Sequence, residues 1–438
     1  MENIKIVKMG INGEGIGYYK DKPIFIPYAF VDEEVLVDDI VFNKTYYTGV
    51  VKKIVVKSEN RISRKQCNID RLCGGCPLLN LKYLQQLKEK QNVFEQSLYK
   101  YGKINKRLIK PIVPNPEIFH YRNQFKLPFT LEDGKLALGM YKVSSNRVIS
   151  MDKCLIHSRD LERIRIEILD LLNKFKCHLY NEQIRKGFRY LVVRGFEDNY
   201  QVTLITGNNN LPEELINQML QIDKVTSIYQ SVNTSKFNVE LFGKEVVHLA
   251  GNKKIKFKLN NFQIYLLPKA FFQLNMKQAD NIYQQVAQLI SDDHQLIVEA
   301  YCGVGLISMY LKDKTQRIIG IEDNASAVKS AKENAKINNI NNIEYIKDDS
   351  AQGLTKISKK EKVDALVVDP PRSGLNDEMI ETIIRSKIKE IVYVSCNSST
   401  LGKDLSILTD YYNVKTIIPY DMFSQTALVE SVTLLVRK

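Results

Sequence analysis

Ile297-Val298-Glu299-Ala300-Tyr301-Cys302-Gly303-Val304-Gly305 reads as an apolar strand that runs into a glycine turn and then a helix. Glycines at the carboxyl end of a strand let the backbone approach a ligand, and open α/β sheets bind ligands at that edge. The turn is Gly-x-Gly without the third glycine of the dinucleotide fingerprint, which disfavours a pyrophosphate cofactor. Outward from it, apolar strands at 296–300, 317–322, 343–347, 364–368 and 390–395 alternate with helical patterns at 325–337 and 376–386. That alternation predicts a parallel, doubly wound sheet, closed by a hairpin of strands at 413–419 and 428–435.

Three short pieces sit at strand ends of this predicted sheet: Asp369-Pro370-Pro371-Arg372, Ser395-Cys396-Asn397 and Glu430. Glu322 ends the second strand, placed to accept hydrogen bonds from ribose hydroxyls. With the glycine turn and the acidic Pro-Pro loop it favours S-adenosylmethionine over other nucleotides. The thiol and the carboxylate point to methylation of a pyrimidine carbon. Carbon 5 of uracil is a poor nucleophile. A thiolate added at carbon 6 makes carbon 5 electron-rich, and a base must then remove the carbon-5 proton so that the thiol can leave. Cys396 suits the first role and Glu430 the second. A free cysteine is often a small packing residue, but the flanks Ser395, Asn397, Ser398 and Ser399 are polar. Glu430 read as an edge-strand surface carboxylate would sit oddly among Leu428, Val429 and Val432. Cytosine-directed RNA enzymes use a Pro-Cys motif where this chain has Pro370-Pro371, and amino-group methylation pairs its loop with an aromatic residue where this chain has Arg372.

The chain has 438 residues, 44% hydrophobic and 26% charged, the balance of a soluble protein with a substantial core. No apolar run approaches the ~20 residues that cross a bilayer, and the first residues lack a signal-peptide pattern, so a cytoplasmic, membrane-free protein is expected. The formal charge of +13 is unevenly spread: residues 61–190 hold 26 Lys and Arg against 12 Asp and Glu, while the remainder is close to neutral. Clustered cations of this kind suit a polyanion. Short alternating strands at 4–9, 22–27, 34–42 and 47–56, with turns at 10–17, 28–32 and 43–45, predict a small antiparallel barrel over residues 1–59. Residues 60–268 read as a basic α+β unit with strands at 124–129, 136–141, 189–194, 201–205 and 227–231 and a helix at 160–175. A helix within 81–116 is placed to pack on the α/β unit of residues 269–438.

Cys67-x5-Cys73-x2-Cys76, joined by Cys154, makes a four-thiolate set, and Gly74-Gly75 allows a tight turn around an inorganic centre. Four thiolates suit either zinc or an iron–sulfur cluster, and spacing alone does not choose. Cys177 and Cys302 read as packing residues.

These motifs together resemble the RNA 5-methyluridine methyltransferases, specifically the 23S ribosomal RNA branch with an N-terminal TRAM barrel and an iron–sulfur cluster, and the resemblance spans essentially the whole chain. It rests on Asp369–Arg372, Ser395–Asn397, Val429-Glu430 and Phe271-Phe272-Gln273-Leu274-Asn275. Position by position it implies that Gln273, Tyr301, Glu322 and Asp369 contact S-adenosylmethionine, that Cys396 is the nucleophile and Glu430 the base. It further implies a 4Fe-4S cluster on Cys67, Cys73, Cys76 and Cys154. The implied partner is RNA, 23S rRNA before tRNA, with no DNA and a monomeric enzyme. The chain departs from the family at Ser398 and Ser424, where proline is usual, and at Leu428, where histidine is usual. Those departures favour, as a further reading, a catalytically weakened RNA-binding or ribosome-assembly paralogue.

Overall fold

The computed structural model describes residues 1–64, 66–236 and 240–438. Residues 2–56 form a six-stranded sheet in which Glu2–Lys5 lies beside Glu34–Asn43, followed by Tyr46–Val56, Lys22–Ile26, Gly15–Tyr19 and Lys8–Met9. Alternate residues turn inward, so Ile4, Ile24, Ile26, Val35 and Val37 make one small core. Two features differ from the sequence expectation. Lys22–Ile26 and Tyr46–Val56 pair in parallel. Gly15–Tyr19 is a strand where a turn was expected, because its glycines answer to packing: a Cβ on Gly17 would lie 2.4 Å from Ile4 Cγ2.

A second sheet of seven strands spans residues 124–251, with Phe188–Phe196 and Asn199–Thr206 at its centre. Helices Arg159–Lys174 and Glu213–Leu220 cover one face, burying Leu161, Ile164, Ile168, Leu215 and Met219 against Leu191, Val193, Val202 and Leu204. Ser158 caps the first of these helices by accepting from Leu161 N at 3.2 Å, and Asp160 and Glu162 in its first turn suit the helix dipole.

Three helices outside that unit matter below: α1 (Tyr83–Gly102), α2 (Met276–Leu289) and α3 (Ser398–Leu408). The third large sheet contains β1 (His294–Ala300), β2 (Thr315–Glu322), β3 (Ile343–Lys347), β4 (Ala365–Val368), β5 (Glu390–Ser395), β6 (Tyr412–Tyr420) and β7 (Glu430–Arg437). Its spatial order is β3-β2-β1-β4-β5-β7-β6. The first five strands are parallel, and β7 inserts antiparallel between β5 and β6. Parallel strands covered on both faces need continuous apolar runs, and every residue of Ala365–Val368 is buried.

One covering layer contains α2 and the hairpin Ile255–Leu259/Phe262–Leu266. The other contains α1, whose Phe94 and Leu98 join Leu401 and Leu405 of α3 in a shared core. Among the described residues no helix is long and apolar enough to cross a membrane.

Candidate active site

The β5–β7 register brings the two sequence candidates to one edge. Ser395 is the Cα partner of Ser431, and Cys396 follows the first of these while Glu430 precedes the second. The Tyr420–Glu430 pair closes the other side of β7. Next to β5, β4 ends at Val368 opposite Tyr393, which delivers Asp369 to the same edge. Cys396, Glu430, Asp369, Pro370, Pro371 and Arg372 line one cleft of about 510 Å³. Asn397 ties its parts together: its Nδ2 donates to Arg372 O at 3.0 Å, while its Oδ1 accepts from Ser399 N at 3.0 Å and caps α3.

The electrostatics are those of a desolvated, acid-rich site. Burial, and then the carboxylates Glu430 and Asp369, push the Cys396 thiol up to about 11, with Arg372 pulling the other way. Glu430 is only 6% exposed. Burial and the neighbouring Asp369 raise it to about 8, and burial raises Asp369 to about 7. A cation brought to this edge favours the ionised form of all three groups.

A second cavity, about 390 Å³, adjoins the first and shares Phe271, Gln273 and Asp369 with it. Tyr301, Gly303, Glu322 and Asn324 line its far side. Glu322 accepts from Gly303 N at 3.0 Å and from Asn324 N at 2.9 Å, so it braces the glycine turn. Gly305 has φ +80°, and a Cβ there would meet the Tyr345 hydroxyl at 2.4 Å. That position therefore requires glycine. Below the turn, fully buried Glu299 accepts from Ser308 N at 2.7 Å and from the Ser308 hydroxyl. Gln273 is held by Asn123 Nδ2, which donates to its carbonyl at 2.9 Å. Gln273, Tyr301, Glu322 and Asp369, named from sequence, thus share one cavity, and Cys396 and Glu430 share the adjoining one.

Comparison with known proteins places this geometry. The family described as tRNA (Uracil-5-)-methyltransferase matches residues 82–438, from the start of α1 to the last strand. The chain belongs to that family. It is an S-adenosylmethionine-dependent RNA methyltransferase. It is 35% identical to an uncharacterized RNA methyltransferase of Listeria innocua over 99% of this chain and 97% of the relative. It is 36% identical to one of Clostridium tetani over 99% and 95%. A solved tRNA (uracil-54, C5)-methyltransferase of Pyrococcus abyssi, in complex with S-adenosyl-L-homocysteine, superposes with a TM-score of 0.81 at 28% identity, covering 99% of this chain and all of that one.

In this methyltransferase the departures from the family pattern have local structural answers. Ser398 is the first residue of α3, the position where proline is tolerated best and where another residue still fits. Ser424 is fully buried, donates to Asp421 Oδ2 at 2.9 Å and accepts from Asn115 Nδ2 at 2.9 Å. Leu428 is part of the cleft wall.

Sequence reasoning held Phe271 only as part of its motif and did not single out Phe423 or Arg122 as cleft residues. Phe271, 72% exposed, stands where the two cavities meet. Phe423 and Arg122 also line the cleft. Arg122 in addition lines a small cavity of about 70 Å³ with Cys67, Cys73, Cys76 and Cys154, and its Nε is buried with no hydrogen-bond partner. Burial and the neighbouring thiols push Cys73 and Cys76 upward, while Arg122 opposes. Among the described residues no group of three or more His, Cys, Asp or Glu side chains is placed to hold a metal ion. The four cysteines surround a space instead.

Proposed function

We propose that this enzyme methylates carbon 5 of a uridine in 23S rRNA through a covalent bond between Cys396 and carbon 6. The observation that carries the reading is the cleft that Cys396 and Glu430 both line, which shares Phe271, Gln273 and Asp369 with the adjoining cavity. Gln273, Tyr301, Glu322 and Asp369 hold S-adenosylmethionine, which supplies a methyl group on a cationic sulfur. Cys396 loses its proton to the Asp369 carboxylate, which leaves Glu430 ionised, and adds to carbon 6; the electron pair of the 5,6 double bond passes to carbon 5, which takes the methyl group. Glu430 then removes the carbon-5 proton, the electron pair restores the 5,6 double bond, and the Cys396 thiolate leaves. The uridine must be unpaired or flipped to expose that face, with contacts along the basic residues 61–190 offsetting the distortion.

The N-terminal sheet acts as a TRAM-like RNA grip. Tyr18 and Tyr46 are exposed there, while Tyr19 and Tyr47 pack against its core. Cys67, Cys73, Cys76 and Cys154 take a 4Fe-4S cluster. Four thiols around a common space, beside the Arg122 guanidinium whose buried Nε has no partner, suit a cluster held at its corners more than one tetrahedral ion. The cluster would pin the segment 67–76 to Cys154. Anaerobically purified protein should carry iron and sulfide in equal amounts; stoichiometric zinc would reject the cluster.

The likeness to the Pyrococcus abyssi enzyme favours tRNA as a second reading. Mapping 5-methyluridine in both RNAs from a deletion strain separates the two. Loss from 23S rRNA is the expected result, and loss confined to tRNA establishes the second reading.

A further inference from the structure

The segment 421–427 links β6 to the residues that precede Glu430, and it has no helix or strand of its own. Its backbone is nevertheless fixed at five consecutive carbonyls. Asp421 O accepts from Gln278 Nε2 at 3.3 Å, Met422 O from Asn275 Nδ2 at 3.0 Å, and Phe423 O from Lys90 Nζ at 3.1 Å. Ser424 O accepts from the Tyr121 hydroxyl at 2.9 Å and Gln425 O from Leu78 N at 3.0 Å. Buried carbonyls need such partners, but here the donors come from scattered parts of the chain and converge on one loop.

The centre of this arrangement is the Asp421 carboxylate. It accepts from Lys90 Nζ, from the Tyr83 hydroxyl at 2.7 Å and from the Ser424 hydroxyl at 2.9 Å. The side chains of Lys90 and Asp421 are both 0% exposed. A buried ion pair adds little stability over an apolar pair of similar volume, so its value here lies in geometry. Lys90 belongs to α1, and so does Gln86, whose side chain exchanges two hydrogen bonds with Gln425. The same helix also reaches the element that follows Cys396. Ser97 and Ser399 share a hydroxyl–hydroxyl bond of 3.2 Å, and Ser399 lies in the first turn of α3, three residues after Cys396. One rigid helix therefore grips both the thiol's helix and the carboxylate's loop.

We propose that Lys90 is a positioning residue for the proton-removal step, acting on Glu430 through Asp421 and the loop 421–427. The proposal rests on Cys396 and Glu430 being nucleophile and base. A loosened loop leaves addition of Cys396 and methyl transfer intact but slows removal of the carbon-5 proton, so the enzyme stalls with RNA attached.

Lys90→Met in the full chain, assayed with a ribosomal RNA fragment and labelled S-adenosylmethionine, tests this. Expected are a kcat lowered about tenfold or more, a KM for S-adenosylmethionine changed by less than about twofold, and a protein–RNA adduct that survives denaturation. Gln96→Ala, at an exposed, uncharged position on the same helix, should show none of these. Where Lys90→Met does not fold, Ser424→Ala removes one donor to Asp421 and should give the same adduct at a smaller rate loss. Unchanged kcat in Lys90→Met, or a loss of rate without adduct in a folded variant, overturns the proposal. Cys396→Ala separates the two layers: turnover or adduct in that variant sinks the covalent reading itself, whereas its inactivity with no adduct in Lys90→Met sinks only the positioning role.

Discussion

Cys396 follows Ser395 and Glu430 precedes Ser431, the last pair of two adjacent strands, and both side chains line one cleft. Cys396→Ala should abolish methyl transfer while cofactor binding, measured by calorimetry, stays within about twofold, because the cavity proposed for the cofactor is lined by other residues. Glu430→Gln should accumulate a covalent RNA adduct on a denaturing gel. Normal turnover by Glu430→Gln would show that another group takes the proton.

The pH dependence follows from the same carboxylate. The proposed base Glu430 must be an anion to take a proton, and burial with Asp369 nearby raises it to about 8 in the ligand-free protein. The working form is therefore lost as pH falls below that value. Single-turnover rates should rise with pH through a midpoint between about 6.5 and 8, on the low side because the cofactor's cationic sulfur favours the anion. A rate that stays flat between about pH 6 and 9 would exclude Glu430 as the base.

How much of this was legible in the sequence depended on whether local pattern or distant packing decided each element. The α/β sheet was readable because its central strands are continuous apolar runs and its first turn carries the glycines its geometry requires. α3 escaped, since Ser398-Ser399-Thr400-Leu401-Gly402 has poor helix formers, and packing against α1 holds it in shape. Gly15–Tyr19 was misread because glycines that avoid a steric clash look the same in sequence as glycines that make a bend. Cys396 and Glu430 stood out by residue type and flanks. Arg122 did not, being one of 26 basic residues between 61 and 190, and nothing local marks it as the shared wall of two cavities. The Lys90–Asp421 pair joins residues 331 apart, a relationship no local pattern encodes.

Glu299 offers a test on the protein without substrate. Burial raises its carboxyl to about 8 despite the hydrogen bonds from Ser308, whereas an unfolded glutamate titrates near about 4.3. Between those values the folded state holds a proton that the unfolded state has released, so stability falls as pH rises through the window. Asp369 and Glu430 act in the same direction. Glu299→Gln imitates the protonated form and should remove one share of this slope. Its thermal midpoint should fall less between about pH 6 and 9 than that of the unsubstituted protein, by roughly 2 °C or more. Parallel melting curves for the two proteins would show that Glu299 is ionised in the fold.

The N-terminal sheet needs subtler surgery than the sequence alone implies. For an independent barrel, removing residues 1–59 would weaken RNA binding and leave the cofactor untouched. In the structure, however, Gly13 packs on Leu78 and Ala427, and Glu33 pairs with Arg61 at 2.5 Å. Met9 and Phe30 share a core with Leu78 and Leu81. Deletion would therefore disturb the loop that precedes Glu430 as well as the RNA surface, and a loss of activity would have two causes. Exposed aromatic residues separate them. Phe42 is 48% exposed, with Lys22 Nζ 4.3 Å from its ring centroid, and Tyr46 packs edge-on against Phe25. A ring beside a cation is suited to stack a base and contact its phosphate, and such stacking contributes ~1–3 kcal/mol per base. Phe42→Ala with Lys22→Ala should weaken RNA binding about tenfold, flatten its dependence on salt, and leave both the melting temperature and single-turnover chemistry at saturating RNA unchanged. Unaltered RNA affinity and salt dependence in that double variant would move the RNA to another face of the molecule.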